Sequence, residues 1–314
     1  MGMSQFIFLF PGEGSQYVRM GLDFYQALPE ARAMLDALDS LVGHSLTSLM
    51  FRGPESGLAL TENLQPAICA VSAVCLHTVC QAGIRPAAVA GHSLGELTAA
   101  YAAGVFDYEA LCRVAMTRGR VCQQCALQHP GGMLAVTGLA DADLDEVVSQ
   151  AATQGVIVKA NLNVPNQTVI SGEESALLVA GNLVRERRGR AQRLKVSGPW
   201  HSPLMEGAMR LFCEALSGVP FREAAISLYS NVTAAPENST ERIKDNLGRQ
   251  LCAPVRWLDT MRRMMQDYPD AAFIEIGPGR VLKSFVLQLD PRRQVFNVED
   301  ARSLEFLVKR LVCQ

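Results

Sequence analysis

Charge is scarce in this chain and evenly balanced. Asp, Glu, Lys and Arg make up 19% of the 314 residues, below the roughly 25% of an average soluble domain. With 49% hydrophobic residues there is ample apolar surface to build a core, which excludes a long disordered region. Neither sign dominates: 29 Lys and Arg stand against 31 Asp and Glu, a net charge of −2. That leaves no global field to draw the chain onto nucleic acid or an anionic membrane, and neither is expected as a partner. Long apolar runs are also missing. None approaches the ~18 residues of a membrane span, and Phe6-Ile-Phe-Leu-Phe10 is too short for a signal sequence and lacks a basic segment before it. It reads as a buried strand. A paired-cysteine framework is absent too, because nine is an odd number and only Cys122 and Cys125 have C-x-x-C spacing. No second pair and no His-x₃₋₅-His partner completes a zinc site, so no metal is expected, and a reducing, cytoplasmic setting fits.

What is present is an alternation of short apolar segments with longer amphipathic or Ala-rich ones. That is the pattern of an α/β protein with a largely parallel sheet. Strands are expected at 5–10, 86–90, 227–230, 271–276 and 294–298. Helices are expected at 20–28, 30–42, 64–82, 96–103, 107–126, 254–267, 281–289 and 301–313, with Asn63 or Thr61 capping the third and Gly83 ending it. Residues 131–197 break the alternation with strands at 133–137, 156–161, 167–171 and 191–197 and helices at 141–154 and 173–187. The order βαββαβ is the ferredoxin-like unit. Length alone, at ~150 residues per domain, allows two units. The expectation is an α/β hydrolase-like large domain of residues 1–127 and 198–314, with a ferredoxin-like small domain of residues 128–197 inserted and a cleft between them for a substrate.

The chemistry concentrates at Gly91-x-Ser93-x-Gly95, which follows a strand and opens a helix. In that setting flanking glycines let neighbouring backbone crowd a strained serine and expose its oxygen. An ordinary turn with a serine N-cap has the same spacing, but the Leu94 N–H at the positive end of a helix is also placed to stabilise an oxyanion. A serine near its free pKa needs a base, usually histidine, and there are five. His92 adjoins the serine and points away from it, His77 sits in an apolar helix, and His44 and His129 lie in polar loops. His201 stands at the return from the inserted unit, beside the cleft, and is the candidate base. No Asp or Glu is placed as a third member, so a Ser-His dyad is inferred, its imidazole oriented by an amide or carbonyl group. Arg118 lies on a helix with Leu111, Val114 and Ala115. On spacing alone it is either a solvated charge or a two-pronged clamp for a substrate carboxylate, which arginine's planar fork suits.

Several segments together carry a resemblance: Phe10-Pro-Gly-Glu-Gly-Ser-Gln16, Gly91-His-Ser-Leu-Gly-Glu96, Thr117-Arg-Gly-Arg120, Ala160-Asn-Leu-Asn-Val-Pro165, His201-Ser-Pro-Leu-Met205, Asn231-Val-Thr233, Gln250-Leu251 and Glu275-Ile-Gly-Pro-Gly279. In this colinear order they resemble the malonyl-CoA:acyl carrier protein transacylases of fatty acid synthesis and the related polyketide acyltransferases. The resemblance implies Ser93 as nucleophile, His201 as base, Gln250 as an aid to orienting His201, and Arg118 as the holder of the malonyl carboxylate. It implies an oxyanion hole from the N–H groups of Glu13 and Leu94, with Asn161, Asn231 and Trp200 at the substrate. Malonyl-CoA and an acyl carrier protein would be the partners of a monomer that needs no cofactor. The mechanism would be ping-pong, through a malonyl-serine ester.

Two positions depart from the family pattern. Glu13 stands where Gln is usual, and a carboxylate there would repel the malonyl group unless protonated or paired. Trp200 precedes the histidine where Phe is common, and its bulk implies a pocket tight for an α-methyl branch. Arg185, Arg187, Arg188 and Arg190, continued by Arg193 and Lys195, form the one basic cluster. It reads either as a solvated helix end or as a landing surface for an acidic carrier protein. Rivals within the resemblance are an acyl carrier protein hydrolase of the same fold and the transacylase of a malonate decarboxylase. A non-catalytic docking protein is the rival outside it.

Overall fold

Strands β1 (Phe6–Phe10) and β2 (Ala88–Gly91) carry only apolar side chains and glycine and are almost entirely buried, as strands covered by helices on both faces must be. The computed structural model describes residues 5–312. Eight more strands follow: β3 (Gly131–Thr137), β4 (Ile157–Val164), β5 (Gln167–Glu173), β6 (Arg190–Arg193), β7 (Ser227–Tyr229), β8 (Pro236–Glu237), β9 (Ala272–Ile276) and β10 (Val295–Val298). The larger sheet has the order β10-β9-β1-β2-β7-β8 and is parallel except for the short edge strand β8. Its central strands β1 and β2 end side by side, so the loops leaving them share one rim, the usual place for a ligand in an open α/β sheet.

The second sheet, in the order β4-β5-β3-β6, is antiparallel throughout. With the helices Asp141–Ala151 and Glu174–Glu186 it forms the ferredoxin-like arrangement expected. Its own core gathers Leu134, Val136, Val147, Ile170 and Val184. Two main-chain bonds stitch β4 to the larger body: Val255 donates to the Ala160 carbonyl at 2.8 Å, and Leu162 donates to that of Val255 at 2.9 Å. Between them, a register shift from Lys159 to Asn161 breaks the regular ladder, the kind of bulge that re-aims a side chain.

Helix Thr61–Gln81 corrects two expectations. It begins at Thr61, so neither Thr61 nor Asn63 caps it by side chain; the Thr61 N–H instead donates to Gln123 Oε1 on the neighbouring Tyr108–Gln128 helix at 3.2 Å. It is also long and apolar enough to cross a membrane by length and composition, which a search for uninterrupted runs misses because Asn, Gln, Pro and Thr punctuate it. In the fold 83% of its apolar window is buried within the protein, packed against the Tyr108–Gln128 helix. That second helix crosses close at Gly119, where a Cβ would stand 2.8 Å from the Thr61 carbonyl oxygen. The close crossing brings Arg118 and Cys122 of one helix beside Gln65 of the other.

Elsewhere the expected strands and helices are found with ends shifted by up to three residues, except that the last strand of the 131–197 unit closes at Arg193 instead of 197. The final helix spans Ala301–Val312, its expected end at 313 lying outside the described residues. Sequence periodicity missed four helices: Leu46–Arg52, Glu55–Leu58, Glu206–Ser217 and Thr240–Arg249.

Candidate active site

The turn after β2 is closed by crowding that only glycine tolerates. A Cβ on Gly91 would lie 1.9 Å from the Gly95 carbonyl carbon, and one on Gly95 would lie 2.1 Å from the Phe10 carbonyl oxygen. Between them Ser93 is held at φ 52°, a left-handed conformation that costs a serine of order 1–3 kcal/mol. The surroundings enforce it. Asn231, at the end of β7, accepts the Ser93 N–H at 2.7 Å and donates its amide to the Gly91 carbonyl at 2.7 Å. Its own main-chain N–H donates to Glu96 at 3.1 Å.

His201, likewise at positive φ, 58°, places its Nε2 2.7 Å from Ser93 Oγ. Its Nδ1 lies 2.8 Å from the Gln250 carbonyl oxygen. A carbonyl only accepts, so Nδ1 carries the proton and Nε2 presents its lone pair to the serine hydroxyl, the tautomer a general base requires. Burial, and then the nearby Arg118 charge, push the imidazole down to about 3. His201 is therefore neutral throughout the physiological range.

Arg118 is buried, and its Nη2 donates to Gln250 Oε1 at 3.0 Å and reaches Ser93 Oγ at 3.4 Å. Among the described residues its Nε and Nη1 have no acceptor. The Glu13 and Leu94 backbone N–H groups likewise have none, and Gly12 is close enough that its Cβ would stand 3.6 Å from Leu94 N. A cavity opens beside Glu13, Ser93 and Arg118. Its lining includes Glu13, Gln65, Ser93, Arg118, Trp200 and His201. Asn161 also faces it, with its Oδ1 buried and unpartnered among the described residues. A half-buried hydroxyl bonded to a neutral imidazole, two free N–H donors and a guanidinium with spare donors together suit attack on an acyl carbon and stabilisation of the resulting oxyanion.

The acyl transferase domain profile matches residues 7–308. The chain belongs to that family. It is 35% identical over 311 residues to the malonyl CoA-acyl carrier protein transacylase of Bacillus subtilis strain 168, covering 98% of both chains. Among solved structures it superposes on an acyl-carrier-protein S-malonyltransferase from Burkholderia pseudomallei 1710b with a TM-score of 0.92, at 34% identity and covering 97% of this chain and 99% of that one. It also superposes, at a TM-score of 0.94 and 32% identity, on a malonyl-transacylase in complex with its type II polyketide synthase acyl carrier protein, covering 98% and 100% of the two chains.

In this acyltransferase Ser93, His201, Arg118, Trp200, Asn161 and Glu13 gather around one cavity, with Leu94 following Ser93 at the start of its helix. One expected role changes and another is kept through a different atom. Asn231 is fully buried and commits its amide to the turn, so it supports the serine instead of meeting substrate. Gln250 orients His201 through its main-chain carbonyl, while its side chain donates to the Ser93 carbonyl at 3.1 Å and to the Glu96 carboxyl. Arg187 of the basic cluster pairs with Glu146 at 3.6 Å, and Arg185 donates to Asn182, leaving Arg188 and Arg190 exposed without such ties among the described residues. The Cys122 thiol lines the cavity, and burial pushes it up to about 12.

Two site residues went unrecognised in the sequence. Glu96 is buried behind Gln250, where desolvation lifts it to about 7 against the hydrogen bonds that favour its charge. Gln65 faces Glu13 across the cavity wall. Each had a signal: a single charge in Leu94–Ala103, and an amide directly ahead of Pro66 where a mostly apolar helix begins.

Proposed function

We propose that this acyltransferase moves a malonyl group from CoA to the phosphopantetheine thiol of an acyl carrier protein by a ping-pong mechanism through Ser93. Ser93 Oγ attacks the thioester carbon as its proton passes to His201 Nε2, and the Glu13 and Leu94 N–H groups hold the oxyanion. Collapse breaks the C–S bond, and His201 returns its proton to the departing CoA sulfur. The carrier thiol then gives its proton to His201 and takes the acyl group from the ester by the same steps in reverse. The observation that carries the malonyl assignment is the buried Arg118 guanidinium 3.4 Å from Ser93 Oγ, since a desolvated arginine beside a nucleophile favours an acyl group ending in a carboxylate. A carboxylate bound there also offsets the Arg118 charge that holds His201 down, restoring basicity as substrate arrives. The Trp200 ring, walled in at the cavity, narrows the space for an α-methyl branch.

Intact-mass spectrometry tests this reading. Incubation with malonyl-CoA should add one malonyl group to the protein, and a later addition of holo carrier protein should move that mass to the carrier. Loss of the group to water at an unchanged rate, with or without carrier, would instead indicate a hydrolase.

Carrier docking has a place on the surface. Beyond β6 the chain alternates, with Leu194 and Val196 lining the cavity and Lys195 facing solvent; Arg188 and Arg190 are exposed as well, while Arg193 pairs with Glu174. Reversing two of these charges, Arg188→Glu with Arg190→Glu, is expected to lower kcat/KM for carrier protein about tenfold at low salt through slower encounter. Acylation of Ser93 by malonyl-CoA serves as the control; an unchanged carrier kcat/KM would make the cluster a solvated surface.

A further inference from the structure

The cavity wall holds a group that the proposed transfer chemistry leaves unused. Glu13 enters the lining by its backbone N–H, but its carboxyl is also in the cavity, surrounded by donors. Gln65 Nε2 donates to Oε1 at 2.7 Å, Thr61 Oγ1 donates to the same oxygen at 3.4 Å, and Trp200 Nε1 donates to Oε2 at 2.9 Å. These bonds suit an ionised carboxylate, which accepts only. Yet Gln65 Oε1 is buried with no partner among the described residues. A flip of that amide would present the oxygen to Glu13 as acceptor for a carboxyl O–H, so one side chain serves both protonation states.

We propose that Glu13 is a proton-linked selector of acyl charge: ionised, it neutralises the Arg118 site and disfavours a carboxylate-bearing acyl group, and protonated, it donates to Gln65 and leaves the guanidinium to the substrate. The inference rests on the malonyl reading above. No ion pair joins Glu13 to Arg118 among the described residues, so the arginine remains open to a ligand while its charge acts on the carboxyl. Desolvation raises the Glu13 carboxyl despite the opposing Arg118 charge and the three donors, which moves its titration toward the working pH.

The other groups facing it do not mimic this switch. On the Tyr108–Gln128 helix the neighbours are Arg118 and the protonated Cys122 thiol; on the Thr61–Gln81 helix they are the uncharged Thr61 and Gln65. His201, next to Trp200, is neutral, and burial also pushes the His92 ring down. Glu96, behind Gln250, is also raised by burial, and it is present in the wild type and in Glu13→Gln alike.

The sign follows from linkage. Binding a second carboxylate draws a proton onto Glu13, so the preference for malonyl over acetyl declines as pH rises past the Glu13 titration, by up to about tenfold per pH unit. The experiment is single-turnover acylation of Ser93 by malonyl-CoA and, separately, acetyl-CoA from pH 5.5 to 8.5, in the wild type and Glu13→Gln. The malonyl-to-acetyl ratio of rate constants should fall with pH in the wild type and stay flat in E13Q. Equal slopes in the two proteins overturn the proposal. Failure of malonyl-CoA to acylate either protein at any pH would instead overturn the malonyl reading itself. Should E13Q not fold, calorimetric titration of Ser93→Ala with malonyl-CoA from pH 5.5 to 8.5, in buffers of different ionisation enthalpy, decides. Proton uptake with malonyl-CoA and none with acetyl-CoA is expected, and no uptake with malonyl-CoA overturns the selector.

Discussion

Ser93→Ala should take up no malonyl mass from malonyl-CoA, and its transfer rate should fall by a factor on the order of 10⁴ or more, with His201→Ala losing a comparable amount. The two act as a unit, because the 2.7 Å bond between Oγ and Nε2 makes each useless without the other. The double variant should therefore be little worse than either single one. Ser93→Ala should still bind malonyl-CoA, as Arg118 and the cavity remain, so titration of binding separates lost chemistry from lost folding. A malonyl adduct that persists in Ser93→Ala would reassign the nucleophile.

Arg118→Ala should reduce malonyl transfer by about 30-fold to a few thousandfold, the equivalent of ~2–5 kcal/mol for truncating one partner of a desolvated charge pair. Acetyl transfer should fall much less. It should still fall somewhat, since the variant leaves Gln250 Oε1 without its 3.0 Å donor at a buried position. Removing the guanidinium also withdraws one of the charges that holds His201 down, so the base becomes stronger in the variant. The measurement is kcat/KM for the two thioesters side by side, and equal losses would sink the carboxylate clamp.

Much of this site was legible because its signals are local or steric. Gly91 and Gly95 announce a turn in which backbone touches backbone, and the sterically impossible Cβ positions there are the physical content of that spacing. Arg118 was ambiguous as a residue on a helix, and only the crossing at Gly119 turns it inward. What could not be read was which atom of a residue does the work. Gln250 was expected to help orient His201, yet the bond comes from its carbonyl oxygen, which every residue type possesses. Asn231 was placed near the cleft, yet its amide is consumed by main-chain partners 138 and 140 positions away in sequence.

The missed helices show the same limit. Thr240–Arg249 buries only Ile243, Asn246, Leu247 and Gly248, too few apolar positions to stand out against a polar segment. Glu13 had been expected to repel the substrate unless protonated or paired. The fold surrounds it with donors from two segments far apart in the chain, Thr61 and Gln65 on one and Trp200 on the other.

The stitch between β4 and Val255 has a bearing on how this pocket could be re-engineered. Asn161 is fixed on the cavity wall by backbone bonds on either side of it, so making room there for a longer or branched guest means parting main chain from main chain. A survey that swaps only the lining side chains would leave that seam closed, and would take a restraint written in the peptide backbone for an intrinsic taste in guests.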